Sequence, residues 1–317
     1  QTTASIFTSR EKEKADLSNV FVQVKLSVIP QAKIEDVVPR ISEYANTQNK
    51  VNAADFFSNH PFHKVMEEFS RRIWANASDG SVHQTQWFYE RARGQFANQQ
   101  ANMTPGEKKK FLIQNPKRQM FTKTDLAKFI LTFDQYPYEV SLGAQKAFAG
   151  ASESQLHKFP GLVGRIRNGW EKNEKQYNEL WFKQAIGKAI LFRGTDRLVY
   201  GAPWYKAYKA NVVTYTLAKL ALIAGERGGE LDYMKIWELQ QIPVMMEGHI
   251  LKIAEVVDKV LHKTPAGTSN VSEYAKKVDC WDAVKKAPVS GLKSLDEFLV
   301  NAETVKEQEK DAEDTQV

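Results

Sequence analysis

Residues 211–225, NVVTYTLAKLALIAG, are apolar almost all round a helical wheel, with Lys219 the one charge in the run. A helix without a polar face has to be enclosed by other elements, so this stretch predicts the central helix of a helical assembly. It is too short, and with Lys219 too polar, to span a bilayer. Working outward, Trp181, Ala185 and Ala189 share one face of a preceding helix, and Ile250, Ile253, Ala254, Val257, Val260 and Leu261 form the stripe of a following one. SLDE at 294–297 reads as the cap of a last helix, which fades into an acidic, fraying tail at 302–317.

The N-terminal side has a different texture. Residues 19–30, NVFVQVKLSVIP, alternate apolar and polar and end on Pro30, as a strand does. Residues 34–45 read as a helix with Pro39 near its first turn. Asn59, His60 and Pro61 open another helix, with Phe62, Val65, Met66, Phe69 and Ile73 as its apolar positions. TQWFYERAR at 85–93 alternates again and predicts a strand, whereas ANQQANMTPGEKKK at 97–110 reads as a polar loop. TKTDLAKFI at 122–130 starts a helix, with Thr122 three residues before Asp125 in capping-box spacing. The predicted fold class is α+β: a mixed α/β part over 1–150, an all-helical bundle over 151–301 and the acidic tail.

Composition narrows the function classes. A chain of 317 residues with 42% hydrophobic and 26% charged residues is long enough for a sizeable core. Its single cysteine, Cys280, excludes an internal disulfide framework and a cysteine-pair zinc site, and favours a reducing, cytoplasmic setting. There is no P-loop, G-x-G-x-x-G, G-x-S-x-G or H-E-x-x-H, so no catalytic residue is assigned. His60 and His63 form an H-x-x-H without a third ligand and read as cap and surface residues, with no metal site. Gln23-Val24-Lys25 resembles the end of a nuclease triplet, but the nearest upstream acid, Asp16, sits in a turn.

Net charge is +6, and because the last sixteen residues hold six acids and two lysines, the chain before them carries +10. Such a body suits polyanion partners, though a solvated basic surface gives the same number. Two elements concentrate the charge. On a strand, Trp87, Tyr89, Arg91 and Arg93 would share one face for stacking and phosphate contact, with Phe88 and Ala92 toward the core. Residues 107–128 add seven Lys/Arg against two acids, beside the hydroxyls of Thr122 and Thr124. A third feature is EYANTQNKVNAADFFSNHPFH at 43–63, whose Asn46, Gln48, Asn49, Asn52 and Asn59 fit either a capped structural corner or a polar binding edge.

QTTASIF, YANTQNKVNAADF, WFYERARGQF, FTKTDLAKFI and VSLGAQKAF occur in that order and resemble the motif series of the AIPR family, the abortive infection phage resistance proteins. The series covers roughly residues 1–225, with ILFRGTDRLV and NVVTYTLAKL fitting more loosely. The resemblance implies a cytoplasmic antiviral defence role. It also implies that this chain is a C-terminal portion, because QTT looks like the second half of the family's N-G-G-Q-T-T motif. A restriction-endonuclease-like region would precede it, and a divalent metal would belong to that region, leaving no cofactor here. The family's motif positions fall at Asp55, Trp87, Tyr89, Glu90 and Asp125, among others. Our expectation from the residues is that Arg91, Arg93, Lys123 and Lys146 line a phosphate-binding surface closed by Asn46, Gln48 and Asn49. Its partner would be nucleic acid, DNA or RNA, in support of an effector nuclease. The other readings are a module for homodimer or defence-partner contacts and a small-nucleotide sensor at the amide corner. None of the three involves a membrane.

Overall fold

The computed structural model describes residues 57–77, 82–151, 159–268 and 270–301, with isolated positions elsewhere. The chain divides into two compact units, Gln1–Lys50 and Val51–Val317. The expected strand at 19–30, the helix at 34–45, Asn46, Gln48, Asn49, Asp55 and the acidic tail lie wholly or mostly outside the described residues. The numbered helices and strands all belong to the second unit.

Helix α1 (Pro61–Arg72) begins where the sequence places it, with Pro61 in the first turn and the His60 ring accepting the Phe62 N–H at 3.3 Å. Phe62, Met66, Phe69 and Ile73 are buried, a spacing that keeps them on one face. Strand β1 (Phe88–Glu90) comes next, then helices α2 (Gln95–Gln99) and α3 (Pro105–Gln114), and strand β2 (Met120–Thr122). β1 and β2 pair in parallel, with Tyr89 opposite Phe121. The stretch expected to be a loop is therefore largely helical. α3 buries no residue, so it carries no apolar stripe to reveal it, but Thr104 and Glu107 close a capping box at its start.

Helix α4 (Lys123–Phe133) leaves β2 directly, and its Thr122/Asp125 capping box forms as expected. Shorter helices α5 (Pro137–Ser141) and α6 (Ala144–Ala149) lead to α7 (Gly161–Lys172) and α8 (Glu179–Gly201). Helix α9 (Lys209–Glu226) is the enclosed element predicted from its sequence: every residue from Val212 to Leu220 is buried, and it packs on α4, α5 and α8 and on elements later in the chain. Two of its polar tips find carbonyls outside the helix, Tyr215 Oη donating to Ala275 O at 2.7 Å and Lys219 Nζ to Lys285 O at 2.6 Å.

Strand β3 (Gly229–Leu231), helix α10 (Tyr233–Leu239), helix α11 (Val244–Leu261) and the smaller α12 (Val271–Tyr274) and α13 (Val278–Lys286) complete the helical part. It is not all-helical. SLDE lies in a 3-10 turn, Lys293–Phe298, that feeds strand β4 (Leu299–Asn301), and β4 pairs antiparallel with β3. Three paired residues per strand are too few for a periodic signal to survive in the sequence. Along α8, Gly187 and Gly194 lie seven apart, where a Cβ would strike the Tyr233 carbonyl and the Ile242 side chain. Their bareness lets α10 and its outgoing loop sit against α8. Among the described residues no helix is long and apolar enough to cross a membrane.

Candidate polyanion-binding site

The WFYERAR strand does not present one aromatic face to solvent. Trp87, Phe88 and Tyr89 are all buried and Ala92 is exposed, because β1 is covered on both sides. Phe88 meets Phe96 and Phe111 at ring separations of 4.9 and 6.0 Å, while Tyr89 meets Phe121 at 5.1 Å. The Arg71 guanidinium lies 3.4 Å over the Phe88 ring and donates to Tyr89 O at 3.3 Å; burial pulls its pKa down to about 10. Neither Trp87 nor Tyr89 is therefore an open stacking platform.

The motif charges around β1 serve a knot of internal contacts. Arg91 donates to Glu67 Oε2 at 2.6 Å, Ser58 O at 3.0 Å and Asn59 Oδ1 at 3.1 Å. Gln95 also bonds Glu67, and Glu90 accepts the Gly94 and Phe96 N–H groups at 3.0 and 3.1 Å. Lys123 is buried, bonds Ser58 Oγ and lies 5.9 Å from the Phe148 ring. Asp125 is held by Thr122 and by Lys128 at 3.0 Å, partners that keep its carboxyl below the usual range against the opposing pull of burial. Of the four cations expected to meet phosphate, only Arg93 and Lys146 are exposed.

At the centre of the knot is a histidine that the sequence reading puts at the surface. His63 is instead fully buried, because the first turn of α1 points it inward among Phe57, Phe62, Tyr89 and Phe148. Its Nδ1 is 2.5 Å from Tyr89 Oη, and its Nε2 has no partner among the described residues. Burial first, then the charges of Lys123, His60 and Arg91, hold its pKa well below the ordinary histidine value, so it is neutral near pH 7. His60 is the helix cap, as expected. Among the described residues no cluster of His, Cys, Asp or Glu is suited to a metal ion. Cys280 is buried, and burial raises its thiol to about 11, which leaves it inert as a nucleophile.

Open positive charge is found at a cleft of about 630 Å³ between the β2 approach, α4, α8 and the end of α10. Lys117, Arg118, Lys128, Arg193 and Arg197 line it against two carboxylates, Asp125 and Asp196. Both acids already have cations, Asp125 from Lys128 and Asp196 from Lys209 at 2.9 Å. Lys117 and Arg197 are exposed and make no ion pair among the described residues. Arg193 donates to the carbonyls of Arg118 and Met120, the latter at 2.6 Å, and sits 5.3 Å over Trp87 and 5.8 Å from Phe129. Burial lowers its pKa from an ordinary arginine's. Trp87 in turn donates Nε1–H to Gln240 Oε1 at 2.8 Å, tying β1 to the cleft's far wall. Arg91 and Lys123 do not line this cleft.

The basic window of the sequence includes Lys117, Arg118 and Lys128 but not Arg193 and Arg197. The signal for those two lies in ILFRGTDRLV, where a four-residue spacing puts two arginines on one helix face. The arrangement defines an α+β protein with a basic, partly aromatic cleft walled by helices. The family model described as AIPR protein matches residues 1–265, beyond the point where the motif series ends. The chain belongs to that family, the abortive infection phage resistance proteins. No curated protein and no solved structure matches it.

Proposed function

We propose that this chain is the part of a cytoplasmic anti-phage defence protein that binds nucleic acid through the Lys117–Arg197 cleft and so supports an effector nuclease. The observation that carries the reading is the charge balance of the cleft: five cations against two acids, Asp125 held by one of the five, Lys128, and Asp196 by Lys209 outside the lining, with Trp87 and Phe129 in the wall. Phosphates are the natural complement of such a surface, and cations in a walled cleft act more strongly than on an open face. Arg93 and Lys146 add exposed charge elsewhere on the unit.

The test is binding of the purified chain to labelled duplex DNA, single-stranded DNA and RNA across a salt series. We expect micromolar or tighter affinity near 0.1 M salt, with log K falling linearly against log salt, the signature of counterion release. No binding, or binding indifferent to salt, overturns the reading. A contact module is the second reading, favoured by the exposure of Leu239, Val244 and Met245 at the junction of α10 and α11. A stable dimer that binds no polynucleotide would put it first.

A further inference from the structure

The cleft does not end at Arg197. A second cavity of about 490 Å³ adjoins it, sharing Arg197 and Gln241 and lined beyond them by Gly201, Trp204 and Glu247. Arg193, Arg197 and Tyr200 lie at i, i+4 and i+7 on α8, so Tyr200 continues the arginine face of that helix beside the cavities without lining either. Tyr200 is 71% exposed although it is a large aromatic, with Tyr205 6.3 Å away and Lys209 Nζ 5.2 Å from its ring. The stretch YGAPWYKAYK, 200–209, from the last turn of α8 through the connection to the start of α9, holds four aromatics and two lysines in ten residues. Tyr208, the residue before α9, has φ +61°, a left-handed conformation unfavourable for a bulky side chain.

The two cavities differ in chemistry. The first is cationic; the second has an indole wall, bare glycine at Gly201 and one carboxylate, Glu247. A carboxylate repels phosphate but accepts N–H groups from a base edge, so a nucleotide spanning both cavities has only one favourable direction. Phosphate falls on the Arg197 side and base on the Trp204 side. A duplex cannot supply that base, because its bases are paired and stacked inside the helix, whereas single strands offer theirs to aromatic platforms.

Resting on the proposed nucleic-acid reading, we infer that the ligand is a single-stranded polynucleotide, its phosphates along Lys117 and Arg197 and a base stacked on Trp204, with Tyr200 as a second platform. The experiment compares 20-nucleotide oligo-dT, oligo-rU and a blunt 20-bp duplex by fluorescence anisotropy, with Trp204→Ala, Trp204→Phe and Tyr200→Ala variants of the full chain. We expect the single strands to bind at least tenfold tighter than the duplex. Each alanine should weaken them about five- to hundredfold without changing the salt slope, and Trp204→Phe should recover most of the loss. Tyr200, being exposed, can be truncated without threatening the fold. A duplex preference, or single-strand affinity untouched in both alanine variants, overturns this inference while leaving the nucleic-acid reading intact. Failure of the unaltered chain to bind any of the three probes overturns that reading itself.

Discussion

The knot around β1 and the cleft beside α8 contain the same kinds of side chain, arginine, lysine and aromatic rings, and use them in opposite ways. In the knot, Arg91 has three protein acceptors, Lys123 is buried against Ser58 and Phe148, and Tyr89 closes on His63. In the cleft, Lys117 and Arg197 face solvent, and of the two acids that could neutralise them Asp125 is taken by Lys128 and Asp196 by Lys209. A charge whose hydrogen bonds are already made inside the protein would lose them on meeting a phosphate, so its affinity for an external anion is discounted by what it gives up. Most motif residues around β1 thus hold α1, β1 and α4 together, with Trp87 and Asp125 also reaching the cleft wall, and the open charge lies at Lys117 and Arg197.

Arg91→Ala gives the largest effect expected from this contrast. The substitution leaves Glu67, a side chain only 20% exposed, with Arg71 at 3.7 Å as its remaining cation and removes the tie to Ser58 and Asn59. Loss of a partly buried, charge-assisted pair should cost about 2–3 kcal/mol, read as a lower urea midpoint. The folded variant should bind polynucleotide within twofold of the unaltered chain. A large loss of affinity with unchanged stability would break the contrast and return Arg91 to the binding surface.

The second expected effect is on pH. The folded state holds His63 neutral well below the ordinary histidine pKa, mainly through burial, whereas the unfolded chain takes up that proton near pH 6.5. The unfolded state therefore binds more protons over that interval. Stability is full above about pH 6.5 and falls as pH drops toward the folded value, by up to about 1.4 kcal/mol per pH unit for this group. His249, also lowered by burial, adds in the same sense. The cleft lining contains no histidine, so binding should stay level over the range in which the knot weakens. Urea midpoints at about pH 7.5 and 5.5, with affinity measured alongside, test both halves. A constant midpoint would mean that His63 is not a buried neutral group.

How much of the molecule is legible in its sequence depends on the physics of each signal. The enclosed helix α9, the start of α1 at Pro61 and the Thr122/Asp125 cap can all be read because each rests on a local rule: apolar enclosure, a first-turn proline, a side chain returning to a backbone N–H. α3 carries the same local signs, a Thr104/Glu107 capping box and a first-turn Pro105, but buries nothing, so no apolar stripe follows them; β4 is missed because three paired residues leave no period to detect. The faces of β1 come out wrong for a different reason. Alternation reports a strand with one wet side, and covering from both sides cancels that premise. His63 passes for a surface residue because nothing in H-x-x-H says which way the first turn faces. The cleft is half visible: the basic window can be counted, but α8 brings Arg193 to the Arg118 and Met120 carbonyls only through tertiary packing.

The smallest stability change and the most specific binding change belong to Lys117→Ala combined with Arg197→Ala. Both side chains are exposed and hold no ion pair among the described residues, so their removal should alter stability by no more than about 0.5 kcal/mol. If each neutralises one phosphate, the slope of log K against log salt should fall in magnitude by about 1.5 for the pair, whatever the sequence of the polynucleotide. Arg91→Ala should leave that slope alone, so the two variants form a crossed test: one changes folding without binding, the other binding without folding. An unchanged slope in the double variant, with affinity intact, would show that the cleft's charge is solvated surface and that the likeness in composition between knot and cleft conceals no difference in function.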